Sequence, residues 1–350
     1  MNIETHSTFM ARCLYLAKLG ESFTAPNPMV GAVIVHNGEI IGEGYHKKYG
    51  TPHAEPNAIN SVEDKSLLNK STLYVNLEPC SHYGKTPPCA NLIVKTGIPN
   101  VVIATLDPNP KVAGRGVEIL RNAGINVQIG VLKKEAQELN KRFFCFYENK
   151  RPFITLKWAQ TADGFIDVER KNHLTAALKI SNAVTQQFTH KMRSENMAIM
   201  VGTQTVILDN PSLTLRHWFG RSPVRVAIDK KGIIPDNFIL KDGNQATIIF
   251  TEKKKENKTN LEYIEIEYNT NNLPEIISKL YEKNIHSVLV EGGAKLLNSF
   301  IESELWDEAN IEISPLEIGK GIKAPTLKNA EIVSEQIIEN HQWKHYKVRR

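Results

Sequence analysis

The first 150 residues alternate between apolar positions at helical spacing and short β-rich runs. Phe9, Cys13 and Leu16 recur at helical spacing, so residues 5–19 are predicted to form an amphipathic helix that buries Cys13. The run MVGAVIVHNGEIIGEGYH (29–46) has two β-rich halves around Asn37-Gly38, which is typical of a hairpin. The elements predicted after it are a helix starting in HAEPNAINSV (53–62), a strand at 71–77, a helix at 88–96, a strand at 100–107, a helix at 116–124, a strand at 126–131 and a polar helix at 133–150. This order predicts a mixed sheet with helices on both faces.

A second series of strands and helices follows Arg151-Pro152, which we take as a domain boundary. The predicted strands lie near 153–160, at 198–202, 224–229, 246–251, 287–293 and 308–314, and near 341–348, with helices near 182–194 and at 274–283 and 294–303. The sequence therefore predicts an α/β protein with two domains, residues 1–150 and 151–350.

Composition narrows the class of protein only a little. Hydrophobic residues make up 41% of the 350 residues and charged residues 23%, as in an ordinary globular protein, and the net charge is +5. This mild charge predicts no nucleic-acid partner, although a small anionic substrate would fit. No signal-peptide pattern and no membrane-length apolar run is evident, and the four cysteines are too few for a disulfide scaffold. We therefore expect a cytoplasmic protein with no membrane partner.

The segment LEPCSHYGKTPPC (77–89) places Cys80 and Cys89 in a polar loop, where free thiols are uncommon. His53 could join them as a third zinc ligand, because one histidine with two cysteines is a known catalytic zinc set. Zinc deaminases carry a histidine and a glutamate in H-x-E, followed by Pro-Cys and a second cysteine. Here the glutamate is Glu55, which could move a proton between the attacking water and the leaving amine. The pattern predicts one catalytic zinc ion per chain.

Less specific interpretations of these residues exist. A lone H-x-E is common, and a structural zinc site could use the same three ligands. Such a site would want a fourth ligand, for which His82 is the only nearby candidate. We favour the catalytic interpretation because an open fourth position is what catalysis requires.

Four segments of the first half together resemble the deaminase half of the bacterial bifunctional riboflavin-biosynthesis deaminase/reductase: TAPNPMVGAVIV, HAEPNAI, LEPCSHYGKTPPC and TLDPNPKVAGRGVEILRNAGI. The eight-residue gap between the cysteines is typical of that family, whereas tRNA and cytosine deaminases usually have two residues there. The resemblance implies a cytidine-deaminase-like three-layer α/β/α fold. The implied reaction is hydrolysis of an exocyclic amine on a diaminopyrimidinone that carries a ribose 5-phosphate. The substrate-binding positions that it implies are Asn27, His46, His82, Lys85, Thr86, Asp107 and Asn109.

Each of those polar residues has a plainer alternative. Any one of them could be a solvated loop residue, and Asp107 and Asn109 could equally be turn formers.

Three segments of the second half resemble the family's reductase domain: RPFITLKWAQTADGFI, VGTQTVILDNPSLTLR and VLVEGGAKLLNSFI. That domain is similar to dihydrofolate reductase, and the resemblance implies that NADPH delivers a hydride to C1 of the opened ribose. The implied cofactor-binding positions are Ala159, Thr205, Asp209, Gly293, Ala294, Lys295, Leu296 and Leu297. The implied substrate-binding positions are Arg193, Leu213, Arg216 and Glu291. Lys157 is the candidate catalytic cation, and proton delivery is left open between Lys157 and Asp209.

Plain alternatives exist here too. A strand–Gly-Gly–helix turn is often only a turn, and Arg193 could be a helix-surface charge. The chain also departs from the family at LKISNAV (178–184), where Lys179 stands in place of the usual tryptophan, so no role is assigned within 167–181.

Two other functions remain open from the sequence. One is a deaminase of another pyrimidine or of tRNA with a non-catalytic C-terminal domain, and the other is a non-catalytic binding protein with structural zinc. For the leading hypothesis we expect a phosphoribosyl-pyrimidine substrate and a homo-oligomeric enzyme.

Overall fold

The structure is a computed structural model that describes residues 3–81, 87–267 and 272–349. The chain divides into two compact units, Met1–Lys150 and Arg151–Arg350. Among the described helices, none combines the length and the apolar character needed to cross a membrane.

The first unit contains six α-helices, one short 3₁₀ helix (Lys65–Lys70) and five strands in its described residues. The helices are α1 (Ile3–Lys18), α2 (Ala54–Ser61), α3 (Cys89–Thr96), α4 (Arg115–Asn122), α5 (Lys133–Leu139) and α6 (Lys141–Glu148). The strands are β1 (Gly31–His36), β2 (Glu39–Tyr45), β3 (Thr72–Val75), β4 (Asn100–Ile103) and β5 (Asn126–Ile129).

The strands form one mixed sheet in the order β2-β1-β3-β4-β5. β1 is antiparallel to β2 and β3, whereas β3, β4 and β5 run parallel. Alternate residues of the strands face opposite sides, so Ile34 and Leu73 pack in one apolar cluster with residues of α2, α3 and α4. Val33 and Tyr74 face the other side and pack with α1. The predicted sheet with helices on both faces is confirmed.

The prediction of a single helix over 133–150 is wrong. The structure has two helices there, α5 and α6, which meet at Asn140. The buried side chain of Asn140 accepts a hydrogen bond from Met29 N at 2.8 Å and donates one to Met29 O at 2.9 Å. These bonds to a distant segment fix Asn140 in a backbone conformation outside the helical region.

The second unit contains four α-helices, one short 3₁₀ helix (Ile239–Lys241) and eleven strands in its described residues. The helices are α7 (Ala183–Ser194), α8 (Thr203–Asp209), α9 (Leu273–Glu282) and α10 (Ala294–Glu302). The strands are β6 (Phe153–Gln160), β7 (Phe165–Asp167), β8 (Ala198–Gly202), β9 (Val224–Ile228), β10 (Thr247–Thr251), β11 (Leu261–Glu265), β12 (Ser287–Val290), β13 (Glu308–Ile313), β14 (Ile322–Lys323), β15 (Ala330–Ile338) and β16 (His341–Val348).

Nine of these strands form one sheet in the order β11-β10-β9-β8-β12-β6-β13-β16-β15. The first seven in that order run parallel, and the hairpin of β15 and β16 adds antiparallel to β13. β7 and β14 make a separate pair. After β8 the chain adds β9, β10 and β11 on one side and then returns to place β12 on the other. Ligands of open α/β sheets bind at such a reversal, outside the carboxyl ends of the strands.

The structure contains elements that the sequence patterns did not predict, including α8, β11 and β15. β15 is exposed along almost its whole length, so it lacks the apolar alternation of a half-buried strand. Its place in the sheet comes from pairing with β16 through the two-residue turn Glu339-Asn340, where both residues have positive φ.

The two faces of the second sheet differ in chemistry. Ile154, Leu156 and Ile311 lie on the apolar face, in the cluster that includes residues of α9 and α10. The opposite face of β6 and β13 carries polar residues that are largely buried. Phe188 of α7 packs there, with its ring centre 5.8 Å from that of Trp343 in β16.

Candidate active sites

Three predicted metal ligands meet at the starts of two helices in the first unit. His53 is the N-cap of α2, Cys89 is the first residue of α3, and Cys80 follows β3. The Nδ1 atom of His53 lies 3.6 Å from Cys80 Sγ and 3.4 Å from Cys89 Sγ, and all three ligand atoms lie within 4.8 Å of one another. The two cysteines are not joined in a disulfide.

This geometry and donor chemistry fit a zinc ion. Zinc bonds of about 2.3 Å to sulfur and about 2.0–2.1 Å to nitrogen give a tetrahedral S···N edge of about 3.5 Å. Hydrogen bonding with the Cys89 side chain, and with His53, lowers the pKa of Cys80 to about 4. The same interaction with Cys80, together with burial, raises the pKa of Cys89 well above its usual value. A second thiolate beside the first is unfavourable, and a dication between the sulfurs would offset that repulsion.

The Glu55 side chain is buried next to these ligands, in the first turn of α2. Burial and, to a lesser degree, the nearby Cys80 raise the pKa of Glu55 to about 7, while His53 and a hydrogen bond with Cys89 oppose the rise. A carboxyl group with a pKa near neutrality can both accept and return a proton. Glu55 is not one of the three ligands, so it remains available for that exchange.

Asn27 and His46 extend the site away from the metal ligands. The Asn27 side-chain amide donates to His46 Nε2 at 3.2 Å, and His46 Nδ1 donates to Pro52 O at 3.1 Å. The His46 ring stands edge-on to the His53 ring at 5.2 Å. Because burial lowers the pKa of His46, this ring is neutral at physiological pH. The structure therefore places Asn27 and His46 beside the cluster of His53, Cys80 and Cys89.

Asp107 and Asn109 lie in the loop after β4. Asn109 N donates to Asp107 Oδ1 at 2.8 Å, which is the Asx-turn geometry, and Asn109 Nδ2 donates to Tyr147 Oη at 3.3 Å. Burial raises the pKa of Asp107 to about 7. Asn109 Oδ1 in turn accepts from Lys111 N at 3.1 Å, so both side chains form turns, although a turn alone does not require the Asp107 carboxyl group to be buried. His82, Lys85 and Thr86 lie outside the described residues.

Glu78 belongs to this site, and the sequence patterns did not indicate it. Its buried carboxylate accepts hydrogen bonds from the backbone N–H groups of Asp107, Gly114, Gly116 and Val117 at 2.9–3.2 Å. Gly116 must approach closely, since a Cβ there would lie 2.1 Å from Pro79 O. Glu78 thus ties the turn that carries Cys80 to the loop of Asp107 and to the start of α4. An acidic residue between Leu77 and Pro79, shortly after β3, is a weak signal, because it does not distinguish a buried carboxylate from a solvated one.

In the second unit, predicted cofactor positions gather at the carboxyl ends of β8 and β12. Gly293 is the N-cap of α10, and its N–H donates to Thr205 Oγ1 at 3.2 Å. Backbone N–H groups at a helix start favour a phosphate. Leu296 and Leu297 are buried in the apolar cluster. Ala159, near the carboxyl end of β6, pairs in register with Glu312 of β13.

The predicted substrate positions are joined by an ion pair. Arg193 Nε and Nη2 donate to the two carboxylate oxygens of Glu291 at 2.9 and 2.7 Å, so Arg193 is not a plain surface charge. This pairing lowers the pKa of Glu291 although burial opposes it. Arg193 Nη1 also donates to Thr214 O, beside the buried Leu213.

Arg216 is more exposed than Arg193 and approaches the same region. Its side chain donates to Ser212 Oγ, and its backbone N–H donates to His190 Nδ1 at 3.1 Å. Burial and, to a lesser degree, the Arg193 charge lower the pKa of His190 to about 4. His190 is therefore a neutral acceptor that holds the Arg216 backbone, a role no sequence pattern indicated.

Lys157 and Asp209 have different partners. Lys157 is buried, with its Nζ 3.7 Å from Glu312 Oε2. Asp209 is held by Arg170 Nη2 at 2.7 Å, and the same guanidinium pairs with Asp167 at 2.6 Å.

Two family models match this chain, one in each unit. Residues 152–349 match the family model of the RibD C-terminal domain. Residues 3–105 match the model of the cytidine and deoxycytidylate deaminase zinc-binding region.

Full-length relatives cover nearly the whole chain. The riboflavin biosynthesis protein RibD of Aquifex aeolicus is 42% identical over 325 residues, 91% of this chain and 89% of that protein. RibD of Bacillus amyloliquefaciens is 43% identical over 332 residues, 92% of this chain and 88% of that protein.

Solved structures agree over the same length. The crystal structure of a diaminohydroxyphosphoribosylaminopyrimidine deaminase/5-amino-6-(5-phosphoribosylamino)uracil reductase from Thermotoga maritima superposes with a TM-score of 0.88 at 38% identity and 99% coverage of both chains. Acinetobacter baumannii RibD gives a TM-score of 0.90 at 30% identity, with both chains fully covered. The resemblance inferred from the motifs is confirmed: the chain belongs to the RibD family of bifunctional riboflavin biosynthesis proteins.

Proposed function

We propose that this chain catalyses two consecutive steps of riboflavin biosynthesis. Residues 1–150 hydrolytically deaminate 2,5-diamino-6-(5-phosphoribosylamino)pyrimidin-4-one. Residues 151–350 then use NADPH to reduce the ribose of the product to a ribityl chain. The observation that carries the proposal is the His53, Cys80 and Cys89 cluster with the buried carboxyl group of Glu55 beside it. Family membership favours this function over a tRNA deaminase with a non-catalytic second domain.

In the deaminase site, Glu55 moves the proton. A zinc ion held by His53, Cys80 and Cys89 supplies the Lewis acidity that makes water a nucleophile near neutral pH. Glu55 accepts a proton from the attacking water and delivers it to the exocyclic amine, so that ammonia leaves and the ring gains a carbonyl oxygen. The pKa of about 7 suits both transfers.

Substrate contacts surround that centre. The side-chain amide of Asn27 binds the pyrimidine ring, and His46 fixes its orientation through their hydrogen bond. We assign the ribose phosphate to the polar residues of the two loops, with Lys85 as a point charge. These residues are His82, Lys85, Thr86, Asp107 and Asn109.

In the reductase site, NADPH supplies the hydride for C1 of the ribose. We assign the cofactor phosphates to the start of α10, Gly293 to Leu297, where the positive end of the helix favours an anion. The N–H of Gly293 donates to Thr205 Oγ1, and those of Leu296 and Leu297 donate to Gly293 O, so the N–H groups of Ala294 and Lys295 are the phosphate donors in this proposal. Ala159 and Asp209 line the cofactor on facing segments. Lys157 is the cation that polarises the reacting group. Because Asp209 is paired with Arg170, we assign the delivery of the proton to Lys157 as well.

The substrate in that site lies among four residues. Arg216 binds the phosphate with its guanidinium, as the geometry of that group favours. In this proposal Arg193 lies beside the substrate phosphate, and it holds Glu291 through their ion pair. Leu213 and Glu291 line the sugar and the ring.

We also propose a cytoplasmic homo-oligomer. The thiols of Cys80 and Cys89 and the use of NADPH both suit a reducing compartment. The edge strand β15 exposes Ile332, Val333 and Ile337, with Ile337 75% accessible. A long edge strand that exposes apolar side chains is a ready site for pairing with another chain, and the partner that we propose is a second copy.

We expect one zinc ion per purified chain and its loss in Cys89→Ser, because a hydroxyl is a poor zinc ligand beside a thiolate. Metal content measured by mass spectrometry checks this. Cys145→Ser, which changes a buried cysteine on α6, is the control and should retain the zinc. A full zinc complement in Cys89→Ser would contradict the ligand assignment.

Glu55→Gln should retain zinc but lower the rate of ammonia release by about 10²–10⁴-fold, the usual contribution of a general acid–base. The rate of NADPH oxidation on the deaminated substrate should be unchanged, since that site lies in the other unit. Ammonia release at the wild-type rate would overturn the role of Glu55.

Arg216→Ala should raise the KM of the reductase for its phosphorylated substrate, by about tenfold or more if one charge-assisted contact is lost. Deamination should proceed as in the wild type. Lys295→Ala, at the cofactor side, is the comparison, and it should change the KM for NADPH instead. If Arg216→Ala leaves the substrate KM unchanged, the phosphate lies elsewhere.

Ile337→Lys should convert the oligomer to a monomer in analytical ultracentrifugation, because a charge replaces the exposed apolar edge. Ile233→Lys, at an exposed isoleucine in a loop, should leave the mass unchanged. A wild-type chain that sediments as a monomer at micromolar concentration would exclude the oligomer, and an oligomeric Ile337→Lys would exclude this interface.

A further inference from the structure

The polar face of the second sheet carries two buried carboxylates on one strand. Glu308 and Glu312 of β13 point to the same side, which α7 and its preceding residues cover near Glu312. Glu308 is 4% exposed and Glu312 is fully buried. A charge without solvent must find partners, and each of these carboxylates has a histidine and a lysine.

Glu312 uses both carboxylate oxygens. His341 Nδ1 lies 2.8 Å from Oε1, while Ser181 Oγ donates to Oε2 at 2.6 Å. The Lys157 ammonium lies 3.7 Å from that same Oε2. Three separate segments therefore converge on Glu312, from β6, from the residues before α7 and from β16.

The Lys157 ammonium lies between charges and an aromatic ring. Glu291 is near enough for Lys157 to contribute to the lowered pKa of Glu291, but Arg193 already forms two hydrogen bonds with that carboxylate. Trp343 has its ring centre 5.9 Å from Lys157 Nζ. Glu312 is thus the carboxylate that neutralises the charge of the Lys157 ammonium and holds it in place.

We propose that Glu312 is the positioning residue of Lys157 in the reductase site. The carboxylate holds the ammonium near the carboxyl end of β6, where the proposed substrate and cofactor positions meet, and Ser181 and His341 hold the carboxylate. This inference rests on the proposed reductase function and on Lys157 as its catalytic cation. It assigns Glu312 no contact with substrate or cofactor.

The same strand offers a matched control. Glu308 lies four residues, about 13 Å, from Glu312 on the same face, toward the amino end of β13. His345 Nε2 lies 3.3 Å from it and Lys347 Nζ 3.9 Å. Glu308→Gln and Glu312→Gln therefore remove equivalent buried charges, but only one of them adjoins Lys157.

The experiment compares steady-state NADPH oxidation by the zinc-loaded full chain in the wild type and both variants. Glu312→Gln should lower kcat by about 10–100-fold, since an ångström of misplacement costs that much. The KM for NADPH should stay within about twofold, because no cofactor contact is removed. Glu308→Gln should retain the wild-type kcat, and ammonia release should be normal in both.

Three results would overturn the inference. They are an unchanged kcat in Glu312→Gln, an equal fall in Glu308→Gln, and a rise in KM for NADPH in place of the fall in kcat. If Glu312→Gln does not fold, His341→Gln keeps the carboxylate but removes one of its supports. His341→Gln should also lower kcat, but by less than Glu312→Gln. An unchanged kcat in His341→Gln would count equally against the inference.

Lys157→Ala separates this inference from the function on which it rests. An active Lys157→Ala would refute the proposed role of Lys157 itself. An inactive Lys157→Ala beside a fully active Glu312→Gln would refute only the positioning role.

Discussion

A carboxylate can be buried only where donors surround it, and both candidate sites are held together by carboxylates of this kind. Glu78 shows the constraint most clearly, with four backbone N–H groups from one loop and the first turn of α4. The positive end of the helix dipole adds to these bonds, and hydrogen bonds to a charged group contribute about 1.5–3 kcal/mol each. The turn that carries Cys80 and the loop that carries Asp107 are therefore fixed to one another, although these two residues are 27 positions apart in the sequence.

Parallel strands explain why such distant segments meet at all. The carboxyl ends of β3 and β4 lie at one edge of the first sheet, so the chains leaving them bring Cys80 and Asp107 to the same side. In the second sheet, β8 and β12 end side by side and lead into Thr205 and Gly293. In each unit the candidate functional residues therefore lie at the edge of the sheet where the parallel strands end, and buried carboxylates fix the loops that carry these residues.

Residue type and spacing predicted those secondary-structure elements and functional side chains that depend on the local sequence. The apolar alternation of β1 and the helical period of α1 reflect which side of each element is buried, and the zinc ligands follow from coordination chemistry. Glu78 and Glu312 could not be found this way, because a polar residue next to an apolar one looks the same whether the polar face meets water or another element. EANIEI in β13 reads as an outward polar face, yet α7 and the residues before it bury that face. Asn140 interrupts a helix for the same kind of reason, a partner more than 100 residues away.

The chain departs from the family pattern at Lys179, but the residues that follow it are held in place by local contacts. Lys179 is exposed, so the side chain in place of the family tryptophan lies in solvent, while the next residue, Ile180, is 9% exposed and anchors the chain. Asn182 then caps α7 by accepting from Thr185 N, and Thr185 Oγ1 accepts from Asn182 N in return. This capping box fixes the start of α7 whatever residue occupies position 179. Ser181, between anchor and cap, is therefore held against Glu312 by contacts that do not involve position 179.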